Sequence, residues 1–293
     1  MTTQDEQASK GPPPWYETDV KSINPRAQSL LEEYSGLAPD EVLPHVLKLR
    51  DEAFKIFPYP CIGQMRFLSC HLSNFPYYQR IHDKLHSQAT GTTFLDAGCC
   101  VGQELRFLHT RAQIPAENLY GLDLEPEFFS IGYDLFRDNA ATFPATLVAA
   151  DIQADEDTWT GSRAVTAMKG RMDVIWASSF LHLWDYEGQA RALERLLGLC
   201  RDEAGVVVGG RQMGSVLAGE YTVDSIGGRE EWKQYRHNGE SLKGLWFDVE
   251  RRLGQRWELE VQLENGETMR KMRGASFMDD HARVIWWIAT RVS

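Results

Sequence analysis

From Gly91 onward the chain alternates short, almost wholly apolar runs with amphipathic stretches. The runs "TTFLDAG", "NLYGLDL", "ATLVAAD", "MDVIWASS" and "GVVVGG" read as strands, with helices expected near 102–113, 126–140, 162–169 and 187–200. A strand apolar along its whole length needs cover on both faces, as in a parallel sheet flanked by its own crossover helices. Beyond these lie a helix at "ESLKGLWFDVERRLG" and two longer strands at "RWELEVQLENG" and "ARVIWWIATRV". The pattern predicts an α/β, doubly wound, seven-stranded and mostly parallel sheet with an antiparallel edge.

Upstream the rhythm is helical and aromatic-rich, from Trp15 to about Leu85. In "APDEVLPHVLKLRDEAFKIF", Asp40 is the expected N-cap, and Val42, Val46, Leu49 and Phe54 recur at helical spacing. "PYPCIG" breaks that helix, and "QMRFLSCHLSNFPYYQRIHDKL" resumes it with an interruption at Pro76. Residues 1–14 are polar, end in a proline run and read as a disordered tail. The expected organisation is therefore a tail at 1–14, an N-terminal helical lid at 15–90 and a Rossmann-like core at 91–293.

Composition narrows the function classes. A net charge of -11 disfavours a phosphate-neutralising surface, so nucleic acid is not an expected partner. No apolar run reaches the ~20 residues that cross a bilayer. The first residues also lack the charged and apolar regions of a secretory signal, so a cytoplasmic location is expected. Five cysteines, an odd number and without paired CxxC spacing, read neither as a disulfide framework nor as a structural zinc site, and no metal is expected.

Ligands of an open α/β sheet bind at the carboxyl ends of its strands, and the informative residues sit there. Asp96, Gly98 and Gly102 follow the first strand, Asp123 ends the second, and Asp151 ends the third. Asp96, Asp123 and Asp151 singly would pass as turn residues, but three at successive strand ends beside a glycine loop point to a cofactor. A carboxylate such as Asp123 accepts from both hydroxyls of a ribose. The loop "FLDAGCCVGQ" is not G-x-G-x-x-G, the chain holds no Tyr-x-x-x-Lys pair, and no Lys-Ser/Thr follows the glycines as in a P-loop. What remains is D-x-G-x-x-x-G followed by two strand-end acids. That combination resembles class I S-adenosylmethionine-dependent methyltransferases.

The blocks "PYPCIGQMRFL", "FLDAGCCVGQELR", "NLYGLDLEPEFFSIGYDLFRD", "ADI", "WASSFLHLWD", "GRQMG", "GEY" and "YRHNGESLKGLW" make the resemblance narrower. Together they look like fungal methyltransferases of meroterpenoid and related polyketide–terpenoid pathways, across roughly 15–265. The resemblance implies S-adenosylmethionine as donor and a small hydrophobic secondary metabolite as acceptor. It implies carboxyl O-methylation first, phenol O- or carbon methylation as the alternative, and a catalytically inactive donor-binding module as a further one. Homodimerisation is left open.

Carried over by position, Asp96, Gly98, Cys100 and Gly102 would surround the methionine portion. Asp123 would hold the ribose with Leu124 beside the adenine, Asp151 and Ile152 would meet the adenine, and Ala177 and Ser178 would lie near the methyl group. Cys100 stands where many class I enzymes have glycine, and a negative φ there would accommodate its side chain. Cys99 and Cys100 read as small buried hydrophobes rather than nucleophiles.

On the acceptor side, His182 is a general base or a pocket wall, and Arg211 clamps an acceptor carboxylate or makes a structural ion pair. Arg66, placed in the N-terminal helix, reaches the donor's methionine carboxylate or makes a surface salt bridge. Arg236 and His237 are weaker candidates. Phe57, Tyr59, Phe67, Phe75, Tyr77 and Tyr78 suit both core packing and an apolar pocket, and 213–228 reads as a glycine-rich specificity loop.

Overall fold

The computed structural model describes residues 12–13, 15–87, 91–224, 231–264 and 279–293. Most of the expected tail therefore lies outside the described residues. The N-terminal part forms α1 (Pro25–Ser35), α2 (Pro39–Ile56), α3 (Pro60–Gly63) and, after two 3₁₀ turns at Arg66–Leu68 and His71–Asn74, α4 (Tyr78–Leu85). Asn24 caps α1, its side chain accepting from Arg26 N–H at 2.9 Å.

Two expectations need correction here. Helix α2 is capped at Ala38, not Asp40, because Pro39 takes the first helical position, where a missing N–H costs nothing. Asp40 and Glu41 fall in the first turn, and Glu41 accepts from Ala38 N–H at 3.2 Å. Arg66 lies in a 3₁₀ turn rather than a helix, after Met65 turns the chain at φ 58. The apolar faces of α1 and α2, with Leu30, Leu31, Val42, Val46 and Leu49, pack against Phe128, Ile131 and Leu135 of α6 (Glu127–Phe136).

The strands are β1 (Phe94–Ala97), β2 (Leu119–Asp123), β3 (Thr146–Ala149), β4 (Val174–Ser178), β5 (Val207–Ser215), β6 (Gly219–Asp224), β7 (Glu231–Arg236), β8 (Trp257–Leu263) and β9 (Ala282–Arg291). Between them run α5 (Gln103–Arg111), α6, α7 (Glu156–Thr160), α8 (Arg163–Met168), α9 (Tyr186–Leu199) and α10 (Gly239–Leu253). The main sheet has the order β3-β2-β1-β4-β5-β9-β8; β1 to β5 are parallel, and β9 runs antiparallel to β5 and β8. The chain order reverses between β1 and β4, so a crevice opens beyond their carboxyl ends.

The segment expected as a loop is largely ordered, although 225–228 lie outside the described residues. Strand β5 continues to Ser215, and β6 pairs antiparallel with β7 as a separate hairpin. Its alternation was present in "GEYTVD", where Val223 is buried and Thr222 exposed.

One buried ion pair fixes the loop after β1. The Arg106 guanidinium grips Asp138 at 2.7 and 2.8 Å and donates to Val101 O at 3.0 Å and Gly102 O at 3.3 Å. The rings of Phe136 and Phe143 stack on it at 4.6 and 4.5 Å, and Tyr34 Oη donates to Asp138 at 2.8 Å. Removing one partner of such a pair strands the other charge in the core. Arg106→Met is expected to lower unfolding free energy by about 3–5 kcal/mol in urea denaturation. A loss under ~1 kcal/mol would mean that the pair contributes no more than a surface one.

Candidate functional site

The loop after β1 turns through three left-handed residues: Gly98 (φ 75), Cys100 (φ 50) and Gly102 (φ 70). A Cβ on Gly98 would lie 2.7 Å from the Phe180 ring, so both the backbone angle and the space require glycine. Cys100 contradicts the expected negative φ. Its N–H donates to Asp123 Oδ2 at 2.7 Å, and that charge-assisted bond holds a conformation otherwise disfavoured for a side chain. Cys99 is fully buried, with its sulfur 2.8 Å from where a Cβ on Gly121 would stand.

Beyond the strand ends lies a cavity of about 710 Å³, in the range of small-molecule sites. Of the residues expected at the site, Asp96, Gly98, Cys100, Asp123, Leu124, Asp151, Ile152, Ser178, Arg66, His182 and Arg211 line it. Gly102 and Ala177 do not: Gly102 caps α5, and Ala177 is fully buried within the core beneath. Arg236 and His237 also stand outside; Arg236 donates to Asp279 at 2.9 Å, and His237 pairs with Ser241 at 3.0 Å.

The sequence missed further wall residues: Glu104, His71, Phe128, Trp232 and Gln234. The β6–β7 hairpin meets the N-terminal part over the cavity, where Trp232 and Phe57 contact edge-to-face at 6.4 Å. Phe75, by contrast, packs on Trp176 and Trp286 in the core.

The cavity gathers buried charge of both signs. Asp96 and Glu104 are each 2% exposed, and each keeps one oxygen, Oδ2 and Oε2, without a partner. Burial raises both: Asp96 well above the carboxylate range, with the Glu104 and Asp123 charges adding, and Glu104 to about 7. Asp123 is raised to about 6 by burial, against the hydrogen bonds it accepts from Cys100 and Glu125.

Arg66 has a buried Nε without a partner and forms no ion pair among the described residues. Arg211 is 7% exposed, its Nε also lacks a partner, and its Nη1 donates to Ser179 Oγ at 3.2 Å. Burial, joined by repulsion from Arg66, lowers Arg211 to about 10. Burial and the same arginines push His71 well down and His182 to about 3. Met213 N–H points at His182 Nδ1 at 3.4 Å, which leaves Nε2 carrying the proton of the neutral ring. Ser179 sits at φ 55, held by its N–H to Arg211 O at 2.6 Å.

These features fit S-adenosylmethionine. Its amino-acid head carries an ammonium and a carboxylate, and the cavity offers partnerless acids and a partnerless arginine. Asp123 stands at the strand end where a ribose acid belongs, with the half-exposed Leu124 beside it. Asp151 accepts from Gln153 N–H at 2.7 Å through one oxygen, and its other oxygen accepts no bond among the described residues. Among the described residues, no group of three or more His, Cys, Asp or Glu is placed to hold a metal ion.

Comparison with known proteins points to the same class of enzyme. Residues 15–68 match the family model described as the meroterpenoid methyltransferase N-terminal domain. The chain is 42% identical over 264 residues to the O-methyltransferase phiE of a fungal species, covering 89% of this chain and 83% of that protein. It is 40% identical over 189 residues to the asnovolin E/chermesin D methyltransferase nvfJ of Aspergillus novofumigatus, 64% of each chain. Geranyl diphosphate methyltransferase, solved with GPP and sinefungin, is similar in fold, with a TM-score of 0.50 at 12% identity over 92% of this chain and 100% of that one.

The surroundings of His182 give a direct test. With the folded value near 3 against an ordinary 6.5, the ring is expected to stay neutral with the proton on Nε2 as pH falls through 6.5 and on to ~4. Nitrogen-15 spectra of labelled histidine check this. A His182 midpoint near 6.5 would place the ring in open solvent, away from both arginines.

Proposed function

The chain belongs to the fungal S-adenosylmethionine-dependent methyltransferases that carry the meroterpenoid methyltransferase N-terminal domain, and from that premise we propose that it esterifies a carboxylate of a hydrophobic polyketide–terpenoid acid. The observation that carries the choice of a carboxylate is Arg211. It is a buried guanidinium in the middle of β5, level with Ser178 at the end of β4, and it lines the cavity with no carboxylate partner among the described residues. A buried unpaired cation is costly, and an anionic acceptor would supply the missing charge in a bidentate geometry.

The division of labour follows from position. Asp96, Asp123, Leu124, Asp151, Ile152 and Arg66 hold the donor; Ser178, His182 and Arg211 face the acceptor group. Phe57, Phe67, Val223, Trp232 and Val284 receive an apolar acceptor body between the N-terminal part and the hairpin. When bound, S-adenosylmethionine supplies an electrophilic methyl group, and transfer forms one O–C bond as one S–C bond breaks, with no proton moved. A carboxylate is already ionised at neutral pH, so the chain's residues need only align it and exclude water. His182 serves as a neutral Nε2–H donor to it. A phenol, with an ordinary pKa of ~10, would need a base, and His182 near 3 lies far too low to act as one.

Two measurements test this. Incubation with methyl-labelled donor and a panel of hydrophobic aromatic acids and phenols is expected to give a product whose label is released by saponification. A base-stable ether or carbon-methylated product would refute esterification. Arg211→Met is expected to lower kcat/KM for the acid by roughly 10- to 100-fold, the worth of one charged hydrogen bond, while donor affinity changes by less than ~3-fold. Unchanged kcat/KM would remove Arg211 from the acceptor site.

A further inference from the structure

Glu104 belongs to the first turn of α5, where a carboxylate commonly caps its own helix or faces solvent. Here it turns inward. Its Oε1 accepts the Leu72 N–H at 3.0 Å, tying the His71–Asn74 turn of the N-terminal part to the helix. Its Oε2 is buried, partnerless and on the cavity wall. Asp96 offers a second buried, partnerless oxygen to the same cavity. Anchoring the turn needs only one neutral acceptor, which glutamine supplies equally well. Two buried acids without a cation are a standing penalty unless the ligand brings one.

We infer that Glu104 is a binding residue for the primary ammonium of the methyl donor, sharing it with Asp96. The inference rests on the donor assignment above and extends it to a residue outside the glycine loop and the strand-end acids. An ammonium has three N–H donors, which suits two carboxylates converging from β1 and α5. The same carboxylate then holds the donor and the lid's backbone at once, so the turn that brings His71 to the cavity closes against a charged, occupied Glu104. The protonation balance agrees: free Glu104 stands near 7, and an ammonium beside it favours the ionised form. Donor binding therefore expels a proton near neutral pH.

The test is calorimetry of S-adenosylhomocysteine and of 5′-methylthioadenosine, which lacks the amino-acid head, in buffers of differing ionisation enthalpy. Wild-type protein is expected to release protons at pH ~6 on binding S-adenosylhomocysteine, beyond any release seen with methylthioadenosine; Glu104 supplies close to one of them at pH ~6 and none by pH ~8.5, and the raised Asp96 adds its own. Glu104→Gln is expected to remove the Glu104 share and weaken S-adenosylhomocysteine roughly 10- to 100-fold, leaving methylthioadenosine within ~3-fold. Undiminished S-adenosylhomocysteine affinity and proton release in the variant would overturn the inference. Equal weakening of both ligands would assign Glu104 to holding the turn alone and overturn it as well. A wild type that binds neither ligand would overturn the donor assignment and the inference with it.

Discussion

The structure depends on a standing imbalance of charge inside one cavity. Asp96, Glu104 and Arg211 are buried and Arg66 half-buried at the cavity, each with a polar atom that meets no partner among the described residues. Proteins rarely leave such groups unanswered, because each forfeits its hydration without a compensating bond. Arg211 and Glu104 attract one another, but no ion pair joins the acids to the arginines among the described residues. A ligand set with an ammonium, a carboxylate and a second anion would satisfy both signs. A methyl donor with an amino-acid head and a carboxylate acceptor together have that complement.

The fold builds this imbalance from ordinary parts. The reversal of strand order between β1 and β4 opens the crevice, and the parallel strands deliver Asp96, Asp123, Ser178 and Arg211 to the same rim. Arg106 pins the carbonyls of Val101 and Gly102 from below, and Asp123 pins Cys100 from the side. The loop is thereby held in a shape its cysteine would not choose alone. Arg211 and Ser179 brace each other through both backbone and side chain, which sustains a left-handed Ser179 at the mouth of β4. Strain of about 1–3 kcal/mol per such residue persists only where neighbours over-determine the backbone, and at Cys100 and Ser179 the bonds to Asp123 and Arg211 do so.

Much of this was legible in the sequence, for identifiable reasons. The five parallel strands announced themselves as unbroken apolar runs, and strand-end acids are visible once the strands are placed. The hairpin β6–β7 was hidden because its alternation is short and begins at a glycine. Asp40 lost the cap of α2 to local proline chemistry one residue earlier. Cys100 adopts a positive φ because of a bond to Asp123, a partner that sequence spacing does not reveal. Glu104 and His71 were illegible for the same reason: the Leu72–Glu104 bond joins residues 32 apart. Gly102 and Ala177 match the family pattern in sequence, yet one caps a helix and the other supports the floor without facing the cavity.

The proposed acceptor chemistry rests on the same electrostatics. Burial, aided by the arginines, depresses both histidines and so removes the natural candidates for a base, which supports an anionic acceptor that needs none. The most direct test is a crystal structure with S-adenosylhomocysteine and a hydrophobic carboxylic acid bound together. The ligand ammonium is expected on Asp96 and Glu104, its carboxylate on Arg66, and the acceptor carboxylate on Arg211 with its apolar body under Trp232 and Phe57. An acceptor carboxylate directed to solvent, or an amino-acid head that leaves Asp96, Glu104 and Arg66 unpaired, would contradict this arrangement.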